Sequence, residues 1–166
     1  KTMQEPRLDY VACSSPAGLH RMAYWEWGDP ANDQVLICVH GLTRTGRDFD
    51  RLAQRMAARY RVICPDIVGR GRSDWLLNPA FYTVPQYVAD MVSLIARVQP
   101  ASLHWLGTSM GGLIGLGLSG AAAFAKAMWM QRPHVGMPAL DVGIRFDSLV
   151  LNDVGPRLET PALSRI

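Results

Sequence analysis

Gly107-Thr108-Ser109-Met110-Gly111 sets a serine between two glycines, each two residues away. A G-x-S-x-G pattern suits nucleophilic acyl chemistry when a strand runs into it and a helix leaves it. Both flanks fit. The apolar LHWL (103–106) precedes the pattern, and the small-residue run GLIGLGL (112–118) follows it. A sharp turn between them forces the serine into a strained backbone conformation and projects its Oγ from the C-terminal edge of a sheet. The glycines keep side chains out of the tight strand–helix crossing. The helix N-terminus that follows favours a developing oxyanion.

A second turn, His40-Gly41-Leu42-Thr43, ends the run VLICV (35–39). A backbone N–H of this turn can be aimed at the same oxyanion. Leu42 N–H and Met110 N–H, the latter just after the serine, are the two candidate donors. Each would supply about 2.7–4 kcal/mol of transition-state stabilisation. His40 reads as a brace for the loop and not as the general base.

The elements that must position these groups are visible as alternating patterns. VLICV is a continuous apolar run of strand length, as expected of a strand buried on both faces of a parallel sheet. RVIC (61–64), LHWL (103–106) and SLVL (148–151) repeat it, and HRMAYWEW (20–27) reads as an exposed-edge or antiparallel strand. Between them, residues 46–59 and 84–98 carry apolar side chains at helical spacing, and Thr83 with Gln86 resembles a capping box. Strand and helix alternate, so the fold class is α/β with a mostly parallel sheet flanked by helices. Residues 121–146 are the least regular stretch and read as an insertion.

Four segments together resemble the α/β-hydrolase superfamily, in its bacterial esterase-like branch: VHGLTRTG (39–46), PDIVGRGRSD (65–74), LGTSMGGLIG (106–115) and LVLNDVGP (149–156). Their order and spacing cover roughly residues 20–156. The resemblance implies Ser109 as nucleophile, with Leu42 and Met110 as oxyanion donors. It implies a serine hydrolase of the carboxylesterase kind, cleaving an ester or related acyl bond through an acyl-enzyme. A serine at this position argues against the aspartate-dependent haloalkane dehalogenases and epoxide hydrolases.

The family's triad runs Ser, then Asp or Glu, then His. After Ser109 the chain offers Asp141, Asp147, Asp153 and Glu159, but the only later histidine, His134, precedes them all. The resemblance therefore implies an incomplete core, with the cap and C-terminal strands absent and the base expected beyond Ile166. Residues 1–156 are read as the N-terminal part of the hydrolase domain and 157–166 as the start of the cap. Little or no turnover is expected of these 166 residues alone. Asp153 stands as an alternative acid; its N-D-x-G setting equally reads as a turn. His134 reads as a loop residue, and His20 and His104 as structural. Ending after the 148–151 strand exposes a hydrophobic sheet edge, from which self-association is expected.

Composition sets the remaining bounds. The chain has 166 residues, 49% hydrophobic and 19% charged, with a net charge of +3. These values fit one folded domain and exclude a disordered or fibrous chain. Cys13, Cys38 and Cys64 form no C-x-x-C pair, so neither a zinc site nor a disulfide framework is expected. Cys38 and Cys64 sit in apolar runs as reduced core residues, which favours a cytoplasmic setting. No metal or organic cofactor is needed.

Three rival readings are weaker. GLGLSG (115–120) matches G-x-G-x-x-G, with Asp141 about twenty residues on, but it sits inside a helical run and not after a strand. Residues 107–125 lack charge, yet glycine and alanine dominate, as in a helix packed on a sheet. Arg47, Arg51, Arg55 and Arg59 stripe one helix face without interleaved aromatics, so no nucleic-acid partner is expected. A non-catalytic, ligand-binding relative of the fold is the alternative to the enzyme.

Overall fold

The structure, a computed structural model, describes residues 4–130 and 144–152. Among these residues lie strands β1 (Arg7–Ser15), β2 (Gly18–Trp27), β3 (Gln34–Val39), β4 (Arg61–Pro65), β5 (Ser102–Thr108) and β6 (Ser148–Asn152). Helices α1 (Asp50–Met56), α2 (Val84–Val98) and α3 (Met110–Met130) alternate with the later strands. The strands form one sheet in the order β1-β2-β4-β3-β5-β6. β3, β4, β5 and β6 pair in parallel, and β1 and β2 join antiparallel on one side. This is the partial core of an α/β-hydrolase-type fold, as expected.

Each central strand is covered on both faces, which explains its unbroken apolar run. Val35, Ile37 and Val39 enter one core with Ile63, Leu103 and Trp105, capped by α2 and α3 residues such as Met91, Leu94 and Ile114. Leu36 and Cys38 enter the opposite core with Val62, Cys64, Phe49 and Ala53. The small residues of α3 let it lie close to the sheet: a β-carbon on Gly115 would stand 2.5 Å from Trp105 Nε1. Thr83 caps α2 by accepting from the Gln86 N–H at 3.4 Å.

Four local expectations change. Residues 20–27 form the antiparallel strand but lie between β1 and β4, because RLDYVACSS supplies a further strand outside them. The helix expected over 46–59 begins as a 3-10 turn (Gly46–Phe49) and its α part ends at Met56. Gly46 is pressed against the Cys64 carbonyl oxygen and bonded through its N–H to Asp66, which holds that first turn tight. Residues 121–130 continue α3 instead of opening an irregular insertion; 131–143 lie outside the described residues. His104 is half-buried, bonded to Ser102 and Ser148 and packed edge-on against Tyr60.

Candidate active site

β3 and β5 are parallel neighbours in a register that sets Val39 beside Gly107. The loops leaving the two strands therefore emerge side by side. One carries His40-Gly41-Leu42, the other Ser109. A β-carbon on Gly41 would lie 3.7 Å from Ser109 Cβ. The two sequence motifs are thus brought into contact by strand pairing alone.

Ser109 has φ +52°, one of two non-glycine residues in the left-handed region among those described. Its N–H donates to the Asn152 carbonyl at 3.0 Å, and its own carbonyl accepts from the N–H groups of Gly112 and Leu113. The serine therefore belongs to the turn between β5 and α3, held from behind by the end of β6. Gly107 and Gly111 are required by close approach: a β-carbon on Gly107 would collide with the Gly111 and Gly112 backbone, and one on Gly111 with the Val39 carbonyl. Among the described residues neither Leu42 N–H nor Met110 N–H has a backbone or side-chain acceptor. Both stay available to a ligand oxygen.

The loop bearing Leu42 is braced from within the core. His40 is 1% exposed. Its Nε2 accepts from the Ile67 N–H at 2.9 Å, so the ring proton sits on Nδ1, which donates to the Gly41 carbonyl at 2.7 Å. The same carbonyl accepts from Arg44 N–H at 3.2 Å. That carbonyl is the far end of the peptide unit that carries the Leu42 N–H, and in a trans peptide the two point in opposite directions. Burial pushes the His40 pKa below its ordinary value, which keeps the ring neutral in this role. With both nitrogens engaged, His40 has no lone pair for Ser109.

The PDIVGRGRSD segment folds around Asp66. Its carboxylate accepts from the N–H groups of Gly46 (2.8 Å) and Arg72 (2.9 Å) and from Trp25 Nε1 (3.3 Å). Ser73 Oγ donates to the Asp66 carbonyl and accepts from Ala23 N–H. Arg70 leaves this segment and reaches back to the first loop, where its Nε donates to the Leu42 carbonyl at 3.0 Å. Asp66 and Arg70 are the neighbours of the candidate site that sequence reasoning missed, since PDIVGRGRSD enters the sequence reading only as part of the family resemblance.

Away from this corner, Cys13, His20 and Asp90 bring a sulfur, an imidazole nitrogen and a carboxylate oxygen within 4.8 Å of one another. His20 Nε2 bonds Asp90 Oδ2 at 2.8 Å and Gln86 Nε2 donates to Asp90 Oδ1 at 2.8 Å. Burial, reinforced by Asp90, pushes the Cys13 thiol up to about 12. The cluster ties β1 and β2 to α2 through these hydrogen bonds, while His20 Nδ1 is buried without a partner among the described residues. The arginine stripe is a solvated face: Arg47 pairs with Asp50 and lies over the Trp25 ring, while Arg51, Arg55 and Arg59 are exposed. GLGLSG lies wholly inside α3, without the strand-to-helix turn a dinucleotide needs. Asp153, His134, Asp141 and Glu159 lie outside the described residues. Asp147 caps β5, accepting from the Leu103 N–H at 2.8 Å.

The sequence and the fold find their match in known proteins. The sequence model of the alpha/beta hydrolase family covers residues 36–165. The chain belongs to that family. As an alpha/beta hydrolase it is 55% identical over 97% of its length to a 3-hydroxybutyrate-oligomer hydrolase of Cupriavidus necator, of which it covers 48%. It is 32% identical, over 55% of its length and 31% of the relative, to a pimeloyl-[acyl-carrier protein] methyl ester esterase of Aliivibrio salmonicida. Among solved structures it resembles an alpha/beta hydrolase of Novosphingobium aromaticivorans with TM-score 0.71 and 33% identity, covering 98% of this chain and 49% of the other. The chain thus spans about half the length of these close relatives. Relatives of this chain are named as hydrolases, esterases and lipases.

Proposed function

We propose that Ser109 is the nucleophile of a serine hydrolase acting on small esters through an acyl-enzyme. The observation that carries this reading is the serine at φ +52°, facing Gly41, with two unengaged N–H groups beside it. Ser109 Oγ attacks the carbonyl carbon of the ester. The carbonyl oxygen takes the negative charge and is held by Leu42 N–H and Met110 N–H. Collapse breaks the bond to the leaving alcohol, which takes up the proton given by Ser109. Water then attacks the acyl-enzyme, restoring the serine and releasing the acid. Among the described residues His40 and His20 are engaged in the core and His104 bonds Ser102 and Ser148, so the base that carries these protons is assigned outside them. Asp153 remains the alternative acid.

The 55% identity to a 3-hydroxybutyrate-oligomer hydrolase favours short hydroxyacid oligoesters as the substrate class. The chemistry asks for no metal or organic cofactor. Three free, buried cysteines suit a reducing, cytoplasmic setting, and no described helix is long and apolar enough to cross a membrane. For the 166 residues alone we infer weak turnover and self-association. β6 ends the sheet among the described residues, and its Val150 and Leu151 are each 51% exposed. Sedimentation should show concentration-dependent growth in mass; a monomer at all concentrations refutes the association.

The test of the nucleophile is intact-mass spectrometry before and after a fluorophosphonate probe. One adduct is expected, lost in Ser109→Ala. No adduct, or one that survives the substitution, overturns the assignment in favour of a non-catalytic binding protein.

A further inference from the structure

Leu42 sits between two peptide units, and the structure treats them differently. The unit before it is held by His40 Nδ1–H and Arg44 N–H, both on the Gly41 carbonyl. The unit after it, carrying the Leu42 carbonyl, is held among the described residues by the Arg70 Nε–H alone, at 3.0 Å. Core packing gives no help, since Leu42 is 61% exposed. Arg70 is itself fixed. Its Nη1 donates to the Val68 carbonyl at 2.9 Å and to the Tyr87 hydroxyl at 3.2 Å. Its guanidinium carbon lies 5.3 Å and 6.0 Å from the ring centres of Tyr87 and Tyr82.

We propose that Arg70 is a positioning residue for the oxyanion site: it clamps the Leu42 carbonyl so that the Leu42 N–H stays aimed at the oxygen over Ser109. This rests on the assignment of Ser109 and Leu42 given above. The guanidinium suits the task because it is a planar fork. One side chain serves two carbonyls and a phenol at fixed angles, so the strand-end loop, the Asp66 segment and α2 share one joint. A lysine ammonium offers no such fixed fork. Removing the clamp leaves the substrate's ground-state contacts in place but frees the peptide unit after Leu42, so that the donor is held through the Gly41 carbonyl alone and can shift from where charge develops. A shift of up to about 1 Å costs roughly 10–100-fold in rate.

The experiment uses the protein at its natural length, with a p-nitrophenyl ester as substrate and an alkyl boronic acid as a tetrahedral analogue. Arg70→Ala should lower kcat by roughly 10–100-fold with little change in KM. Affinity for the boronic acid should fall in parallel with kcat. Guanidinium ion at sub-denaturing concentration should restore part of kcat in Arg70→Ala, and Arg70→Lys should restore less than the free ion does. Should Arg70→Ala fold poorly, Arg70→Gln carries the same comparison, because it keeps an N–H donor without the fork. An unchanged kcat, a loss confined to KM, or boronic-acid affinity that does not follow kcat overturns the proposal. Ser109→Ala is run beside these variants. If it retains turnover, the site reading falls and this proposal with it; if it is dead while Arg70→Ala keeps wild-type kcat, only the clamp falls.

Discussion

Gly111 lies against the main-chain carbonyl oxygen of Val39, so close that a β-carbon at position 111 would collide with it. The first turn of α3 is thereby seated on the end of β3, the strand that leads to the facing loop. The obstruction is backbone, which cannot swing aside as a side chain would. Gly111→Ala should destabilise the protein by at least about 3 kcal/mol, beyond ordinary overpacking. Gly120→Ala, further along the same helix with nothing near its β-position, should gain about 0.5–1 kcal/mol. Urea unfolding of both variants checks the contrast; equal effects would show that α3 is not seated in this way.

Ser109 pays for its position with backbone strain. Its φ of +52° costs an L-residue about 1 kcal/mol or more, and glycine escapes most of that cost. Ser109→Gly should raise stability by up to about 1 kcal/mol while abolishing fluorophosphonate labelling. Thermal and urea unfolding of the variant read the first effect, intact mass the second.

His40 supplies a pH signature. Its folded-state pKa lies below its ordinary value of 6.5, chiefly through burial. As pH falls through 6.5 the unfolded chain takes up a proton that the folded chain refuses, so stability drops until the folded pKa is reached. Above 6.5 both states are neutral and the contribution is flat. His40→Asn keeps a donor for the Gly41 carbonyl but leaves the Ile67 N–H short of a partner, costing about 1–3 kcal/mol at neutral pH. The difference in stability between wild type and His40→Asn should shrink as pH falls below 6.5. A constant difference across that range would mean the ring is charged in the folded protein.

The central strands were legible because they are buried. β3 and β4 announce themselves because alternate side chains enter two cores, whereas β5 and β6 were legible from their apolar runs alone, with one face of β5 half-buried and β6 largely exposed. β1 escaped notice for the converse reason. Only Val11 and Cys13 of RLDYVACSS are buried, two side chains in a stretch whose Leu8, Tyr10 and Ala12 stay wholly or partly exposed among polar neighbours. α1 was read too long because helical spacing is blind to Gly46, whose contact with the Cys64 carbonyl tightens the first turn. The elbow could be read because its requirements are local: strand, glycine, serine, glycine, helix. The contacts His40–Ile67 and Arg70–Leu42 could not, since each joins loops more than twenty residues apart and follows no period.

The three thiols should be silent in the native state. Cys13 is pushed up to about 12, so at pH 8 about one molecule in ten thousand carries its thiolate. Cys38 and Cys64 are fully buried, and the hydrogen bond with the neighbouring Cys38 thiol, together with burial, drives Cys64 well above the ordinary range. Ellman's reagent should find essentially no reactive thiol at pH 8 until denaturant is added, then three. Rapid modification of one thiol in the folded protein would locate an opening that reaches the sheet.

The Ser109 N–H is held by the carbonyl of Asn152. The turn that presents the serine is therefore closed by a strand that leaves the ribosome well after the serine does. Until β6 pairs with β5, the Ser109 N–H lacks this acceptor, and the turn is held only by the Gly112 and Leu113 N–H groups on the Ser109 carbonyl. The nucleophile proposed at Ser109 is therefore completed only once β6 has been made and paired.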